Sequence, residues 1–91
     1  MSGEERVYVG SKPIFAYVTA IVTSLSKSES VRVMARGRAI SSAVDVVEVI
    51  KRSFLTDLVV DAIDIGTERL GESGAERNVS TISIRLTKPK V

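Results

Sequence analysis

The hydrophobic period of the chain changes abruptly across one short basic string. Val31-Arg32-Val33-Met34-Ala35-Arg36 alternates, with Val31, Val33 and Ala35 on one side, as in a half-buried strand. Beyond Arg36-Gly37-Arg38, the residues Ile40, Ala43, Val44, Val47, Ile50 and Phe54 recur at helical spacing, and Asp45, Glu48 and Arg52 lie opposite. A chain that changes period within so few residues has to fold as strand, tight turn, helix. The same grammar appears earlier. Arg6-Val7-Tyr8-Val9 reads as a short strand stopped by Gly10, and Pro13 suits the first turn of a helix. From Ile14 to Leu25 the apolar residues cover more than one face, so this helix is expected to be buried on more than one side, one of them a subunit interface.

The rest of the chain reads as a hairpin. Leu58 to Glu68 has strand character, but its alternation slips from Leu58, Val60 and Ala62 to Ile63 and Ile65, which predicts a bulge near Ala62. Val79 to Thr87 alternates cleanly, with Ile82, Ile84 and Leu86 inward. The polar stretch between them, residues 70–78 with Gly71 and Gly74, is expected to be a mobile tip. Residues 1–5 are expected to be disordered, and Lys88-Pro89-Lys90-Val91 is a basic tail. Ser42 and Asp45 have the spacing of a capping box, and Glu48 and Arg52 that of an i,i+4 pair. The order β-α-β-α-β-β predicts an α/β (α+β) two-layer sandwich: a four-stranded mixed sheet, two helices on one face and an extended hairpin of the last two strands. With 91 residues, the expectation is one domain spanning 1–91.

Composition narrows the chemistry. The absence of cysteine and histidine removes disulfides, thiolate zinc sites and imidazole catalysis. No stretch is apolar for long enough to suggest a membrane span, so a cytoplasmic protein is expected. The reading is of a non-enzyme with no cofactor, no metal and no catalytic residue. Asp57, Asp61 and Asp64 lie close in sequence, but on a regular strand Asp61 and Asp64 point to opposite faces, so they read as solvated charges. Gly10-Ser11-Lys12 lacks the glycine-rich run of a nucleotide-binding loop.

The net charge of +2 conceals a division. Arg6 to Ile40 carries six bases and one acid, Ser41 to Glu76 carries eight acids and three bases, and Arg77 to Val91 carries four bases and no acid. If both helices cover one face, the first two strands run parallel and their strand-to-helix loops leave the sheet at the same end. Lys12, Arg36 and Arg38 then converge, and Arg77 at the foot of the hairpin extends the patch. Two guanidiniums offer about ten N–H donors, and Gly37 lets the backbone approach an anion. That is a grip on phosphate. The four aromatics, Tyr8, Phe15, Tyr17 and Phe54, lie in apolar stretches and read as core or interface, not as platforms for bases. Backbone contacts without base readout fit these residues best.

Gly10-Ser11-Lys12-Pro13, Ala35-Arg36-Gly37-Arg38-Ala39-Ile40-Ser41 with Ala43-Val44-Asp45, Arg52-Ser53-Phe54-Leu55 and Asn78-Val79-Ser80-Thr81-Ile82 follow one another in an order that resembles the Alba family of archaeal chromatin proteins. The resemblance implies a homodimer that binds double-stranded DNA with little sequence preference, binds RNA too, and coats, compacts or bridges DNA in the nucleoid. It implies nucleic-acid contacts at Ser11, Lys12, Arg36, Gly37, Arg38 and Arg77, hairpin arms along the minor groove, and a dimer–dimer contact at Phe54 and Leu55. Pairing with an Alba paralogue is a further implied partnership. Ser11 stands where the family often has the first of two lysines, the one associated with acetylation, which leaves Lys12 as the acetylation candidate. Ser53 replaces a common base, and Glu72 and Glu76 add negative charge to the arm. The alternatives are a ribonucleoprotein subunit, a metal-dependent nuclease using Asp61 or Asp64, or a structural partner protein with incidental basic loops.

Overall fold

The computed structural model describes residues 3–88. Its elements are β1 (Glu4–Tyr8), α1 (Ile14–Leu25), β2 (Ser30–Arg36), α2 (Ala39–Ser53), β3 (Val59–Leu70) and β4 (Arg77–Thr87). They form one mixed four-stranded sheet in the order β1-β2-β4-β3. β1 and β2 are parallel; β4 runs antiparallel to both β2 and β3. This is the expected α+β architecture. Both helices pack on the side of the sheet that carries Val31, Val33, Ile84 and Leu86. Val18, Ile21 and Leu25 of α1 and Ala43, Val46, Val47 and Ile50 of α2 complete the core. Burying an aliphatic side chain of this size contributes about 1.5–3 kcal/mol, and eight of the largest are fully enclosed.

Several local expectations change. The first strand begins at Glu4, two residues before the apolar run, because Glu4 is held by Ser30, Arg32 and Arg85. Glu4 and Glu5 are therefore part of the sheet, not of a disordered 1–5 segment; Met1 and Ser2 lie outside the described residues, as does the tail from Pro89. The paired hairpin is longer than expected, with Leu70 opposite Arg77 and Arg69 opposite Asn78. Only 71–76 are unpaired, turned by Gly71 at φ +105°, where a Cβ would meet the Ala75 carbonyl oxygen at 2.5 Å. The arm gives the molecule its long dimension, 52 × 28 × 18 Å.

The helices also differ in detail. α2 starts at Ala39, so Ser42 lies inside the first turn and no capping box forms; Arg38 occupies the cap position without a side-chain cap bond. Its buried face is centred on Val46 and Val47, leaving Val44 42% exposed. On α1, Phe15, Ala16 and Ala20 remain exposed in the single chain. The predicted bulge is present between Val60 and Ala62.

Candidate nucleic-acid interface

Parallel pairing of β1 and β2 sends the two strand-to-helix loops out at one end of the sheet. The ladder continues past the end of β1 through the Val9 amide, which donates to the Met34 carbonyl at 2.8 Å. The segment 10–13 then turns over the sheet. Tyr17, buried in the first turns of α1, accepts hydrogen bonds at its hydroxyl from the Gly10 amide (2.9 Å) and the Lys12 amide (3.0 Å). One phenol thus sets the path of the whole loop. Ser11 and Lys12 are exposed at its crest.

The second loop is set by Gly37. Its φ of +58° is a conformation that costs other residues about 1–2 kcal/mol. Its amide donates to the Ser80 carbonyl on β4 at 2.8 Å, and its carbonyl accepts from the Ile40 amide at 3.1 Å. The turn is thereby tied to the base of the hairpin arm on one side and to α2 on the other. Arg36 and Arg38 flank it, both exposed.

Lys12 and Arg36 line one cleft of about 740 Å³, which also takes in Tyr8, Met34, Asp64 and Glu68. Arg36 is not free within it: its Nη1 donates to Glu68 Oε1 at 2.8 Å, an exposed pair. Among the described residues no carboxylate lies within ion-pair distance of Lys12, Arg38 or Arg77. Arg77 sits at the far tip of the arm, four residues along β4 from Thr81, the partner of Arg36. At about 3.3 Å per residue this is about 13 Å away, so Arg77 belongs to the tip and not to the foot of the hairpin. Phe54 follows the last turn of α2 and is 52% exposed; Leu55 beside it packs partly against the core.

The open face of the sheet, opposite the helices, carries an ion-pair lattice that was not legible beforehand. Arg32 and Arg85 face each other across β2 and β4. Each Nε donates to one oxygen of Glu4, at 3.0 Å and 2.8 Å. Arg32 Nη1 reaches Asp64 at 3.1 Å and Ser83 at 2.9 Å, and Arg85 Nη1 reaches Asp61. Asp61 and Asp64 therefore share one face, contrary to the expectation from a regular strand, because the bulge between Val60 and Ala62 shifts the alternation by one. Each is held by an arginine. Desolvation pushes the Glu4 carboxyl up, but the hydrogen bonds from Arg85 and Arg32, the charge of Arg32 and the Ser30 hydroxyl outweigh it and hold it below the usual carboxylate range. Among the described residues no cluster of three or more metal-ligating side chains forms, and no helix is long and apolar enough to cross a membrane.

The comparisons agree with this geometry. The Alba family model matches residues 5–67. The DNA/RNA-binding protein Alba of Methanothrix thermoacetophila is 52% identical over 97% of this chain and 100% of its own length. The DNA/RNA-binding protein Alba 1 of Archaeoglobus fulgidus is 45% identical over 93% of this chain and 97% of its own. Among solved structures, Alba from Thermoplasma volcanium superposes with a TM-score of 0.87 at 36% identity, covering 92% of this chain and 100% of that one. ALBA1 from Trypanosoma brucei reaches 0.73 at 30% identity, covering 99% of this chain and 74% of that one. With a family model over residues 5–67, full-length relatives and a shared fold, the chain belongs to the Alba family.

Proposed function

We propose that this protein binds nucleic acid as a homodimer, gripping phosphates of double-stranded DNA with little sequence preference and coating or bridging duplexes in the nucleoid. The observation that carries the reading is the convergence of Lys12 and Arg36 at one end of the parallel β1–β2 pair, with Arg38 one residue beyond the Gly37 turn. Relatives named for both DNA and RNA binding support the nucleic-acid class. Lys12, Arg36 and Arg38 neutralise phosphate charge, Ser11 and the Gly37 backbone approach it closely, and the arm ending at Arg77 follows the groove. A dimer doubles each loop, so avidity substitutes for base-specific contacts.

Two further roles rest on the family resemblance together with exposure. Phe54, with Leu55, is the apolar contact between neighbouring dimers, and Lys12 is the residue whose acetylation would weaken binding. Pairing with an Alba paralogue uses the same surface as self-association.

The test is duplex DNA affinity across a salt series for the wild type and for Arg36→Ala/Arg38→Ala. Each phosphate neutralised contributes a slope of about −0.9 in log K against log salt. The double variant is expected to lose affinity and to have a slope shallower by up to about two such contacts. Equal binding and an equal slope would remove the loops from the interface.

A further inference from the structure

The sequence places Tyr8 in an apolar strand, as a core or interface residue. In the structure Tyr8 is 65% exposed and stands on the open face of the sheet, at the end of β1. It shares a row with Met34 of β2, Ser83 of β4 and Asp64 of β3. The next row along holds Arg36, Thr81 and Gly66. Gly66 carries no side chain where a Cβ would come within 3.2 Å of Thr81 Oγ1, so the floor of the cleft stays low on its β3 side, at the sheet edge opposite Tyr8. Lys12 and Arg36 line the same cleft. Among the described residues the Tyr8 hydroxyl has no hydrogen-bond partner.

We infer that this cleft is a site for an unpaired nucleobase of a bound strand, with the base stacked on Tyr8 and its phosphate held by Lys12 and Arg36. The inference rests on the nucleic-acid reading above and adds to it a second mode of contact. An exposed aromatic ring next to cationic side chains supplies the two elements of single-strand binding: a π-face that any base can use and charge that tracks the backbone. Asp64 is engaged by Arg32, which is not one of the phosphate ligands, whereas Glu68 pairs with Arg36 and has to be displaced by the phosphate; Lys12 has no carboxylate within ion-pair distance among the described residues. Ser83 and Thr81 add hydroxyls toward the base edge. A base inside an intact duplex is covered by its neighbours and cannot reach the ring, so the site distinguishes loops, bulges and single strands from blunt duplex.

The experiment compares wild type, Tyr8→Ala and Tyr8→Phe on three probes: single-stranded oligo(A) RNA, the same strand as DNA, and a blunt DNA duplex. Tyr8→Ala is expected to weaken single-strand binding by about 5- to 100-fold while changing duplex binding by less than about 2-fold. Tyr8→Phe keeps the ring and should retain wild-type affinity. With no tryptophan in the chain, strand binding should quench tyrosine emission in the wild type; the quench should vanish in Tyr8→Phe although binding persists, since Tyr17 is buried. RNA and DNA strands that bind alike locate the recognition in the base; a loss confined to RNA still supports the site and adds a sugar contact. Single-strand affinity unchanged in Tyr8→Ala, or an equal loss on duplex, overturns the inference. A wild type that binds duplex but neither strand also overturns it and leaves the proposed function standing, whereas a protein that binds none of the probes refutes both.

Discussion

Tyr17 and Glu68 act on the basic loops from opposite directions, one by fixing them and one by occupying them. The Tyr17 hydroxyl is the acceptor for two loop amides. Tyr17→Phe leaves both without that partner, at a cost of about 1 kcal/mol where water substitutes imperfectly. The expected result is a lower urea midpoint with an unchanged m-value, and duplex affinity reduced several-fold because Lys12 is no longer held at the crest. Glu68 instead competes for Arg36. An exposed pair of this kind holds together by about 0.2–1 kcal/mol, so a phosphate can displace it, but the displacement costs affinity. Glu68→Gln is expected to raise duplex affinity by up to about 5-fold at low salt and to steepen the salt dependence by a fraction of one contact. In an Arg36→Ala background the same substitution should have little effect, and that double-mutant comparison separates the pair from a general loss of negative charge.

At the scale of elements, β1 and the bulge in β3 show where sequence patterning suffices and where it stops. The alternation of β2 and β4 and the change of period at Gly37 are consequences of burial, and they were legible because the core imposes them. The convergence of Lys12 and Arg36 was legible for a related reason: two helices on one face force parallel β1 and β2. What was not legible lay on the open face. Glu4 joins the sheet through arginines 28 and 81 positions away, which no local pattern encodes. The slip near Ala62 is visible in the sequence, but that it brings Asp61 and Asp64 to one face is not, because the consequence of a bulge depends on its register with β4. Tyr8 looked like core because its neighbours are apolar, yet strand alternation puts it opposite Val7, on the open side. The lattice around Glu4 makes a pH prediction. Its carboxyl is held below the usual range in the folded state, so the unfolded chain binds the proton more tightly. The stabilisation is present above the ordinary glutamate pKa of about 4.3 and is lost as pH falls through the lower folded value. Thermal melts from pH 7 to pH 3 should show an acid-dependent loss of Tm that is smaller in Glu4→Gln. An identical acid profile in the two proteins would mean that Glu4 does not carry this dependence.

For the whole molecule, the helix layer is narrower than the sheet. α1 packs on β1 and β2, and α2 packs on β2, whereas β3 is a 12-residue edge strand. Ile63 and Ile65 pair with Ile84 and Ile82, so they face the helix side, yet they are 59% and 82% exposed. An edge strand of this length with adjacent bare isoleucines is a hazard in a free monomer and is expected to be covered. A second copy of the chain provides the cover in the proposed dimer, and the same association sets two pairs of basic loops side by side. Ile65→Asp should therefore convert the protein from dimer to monomer by light scattering, with duplex affinity falling further than the loss of one apolar side chain explains, because avidity is lost with it. Ile65 is already largely exposed, so the fold of the single chain should survive, as far-UV circular dichroism can verify. Phe54→Ala serves as the contrast: the dimer should persist, while cooperative coating of long duplexes weakens. A protein that stays dimeric as Ile65→Asp would place the self-association surface elsewhere, with the exposed faces of α1 around Phe15 and of α2 around Val44 as the remaining apolar surfaces to test.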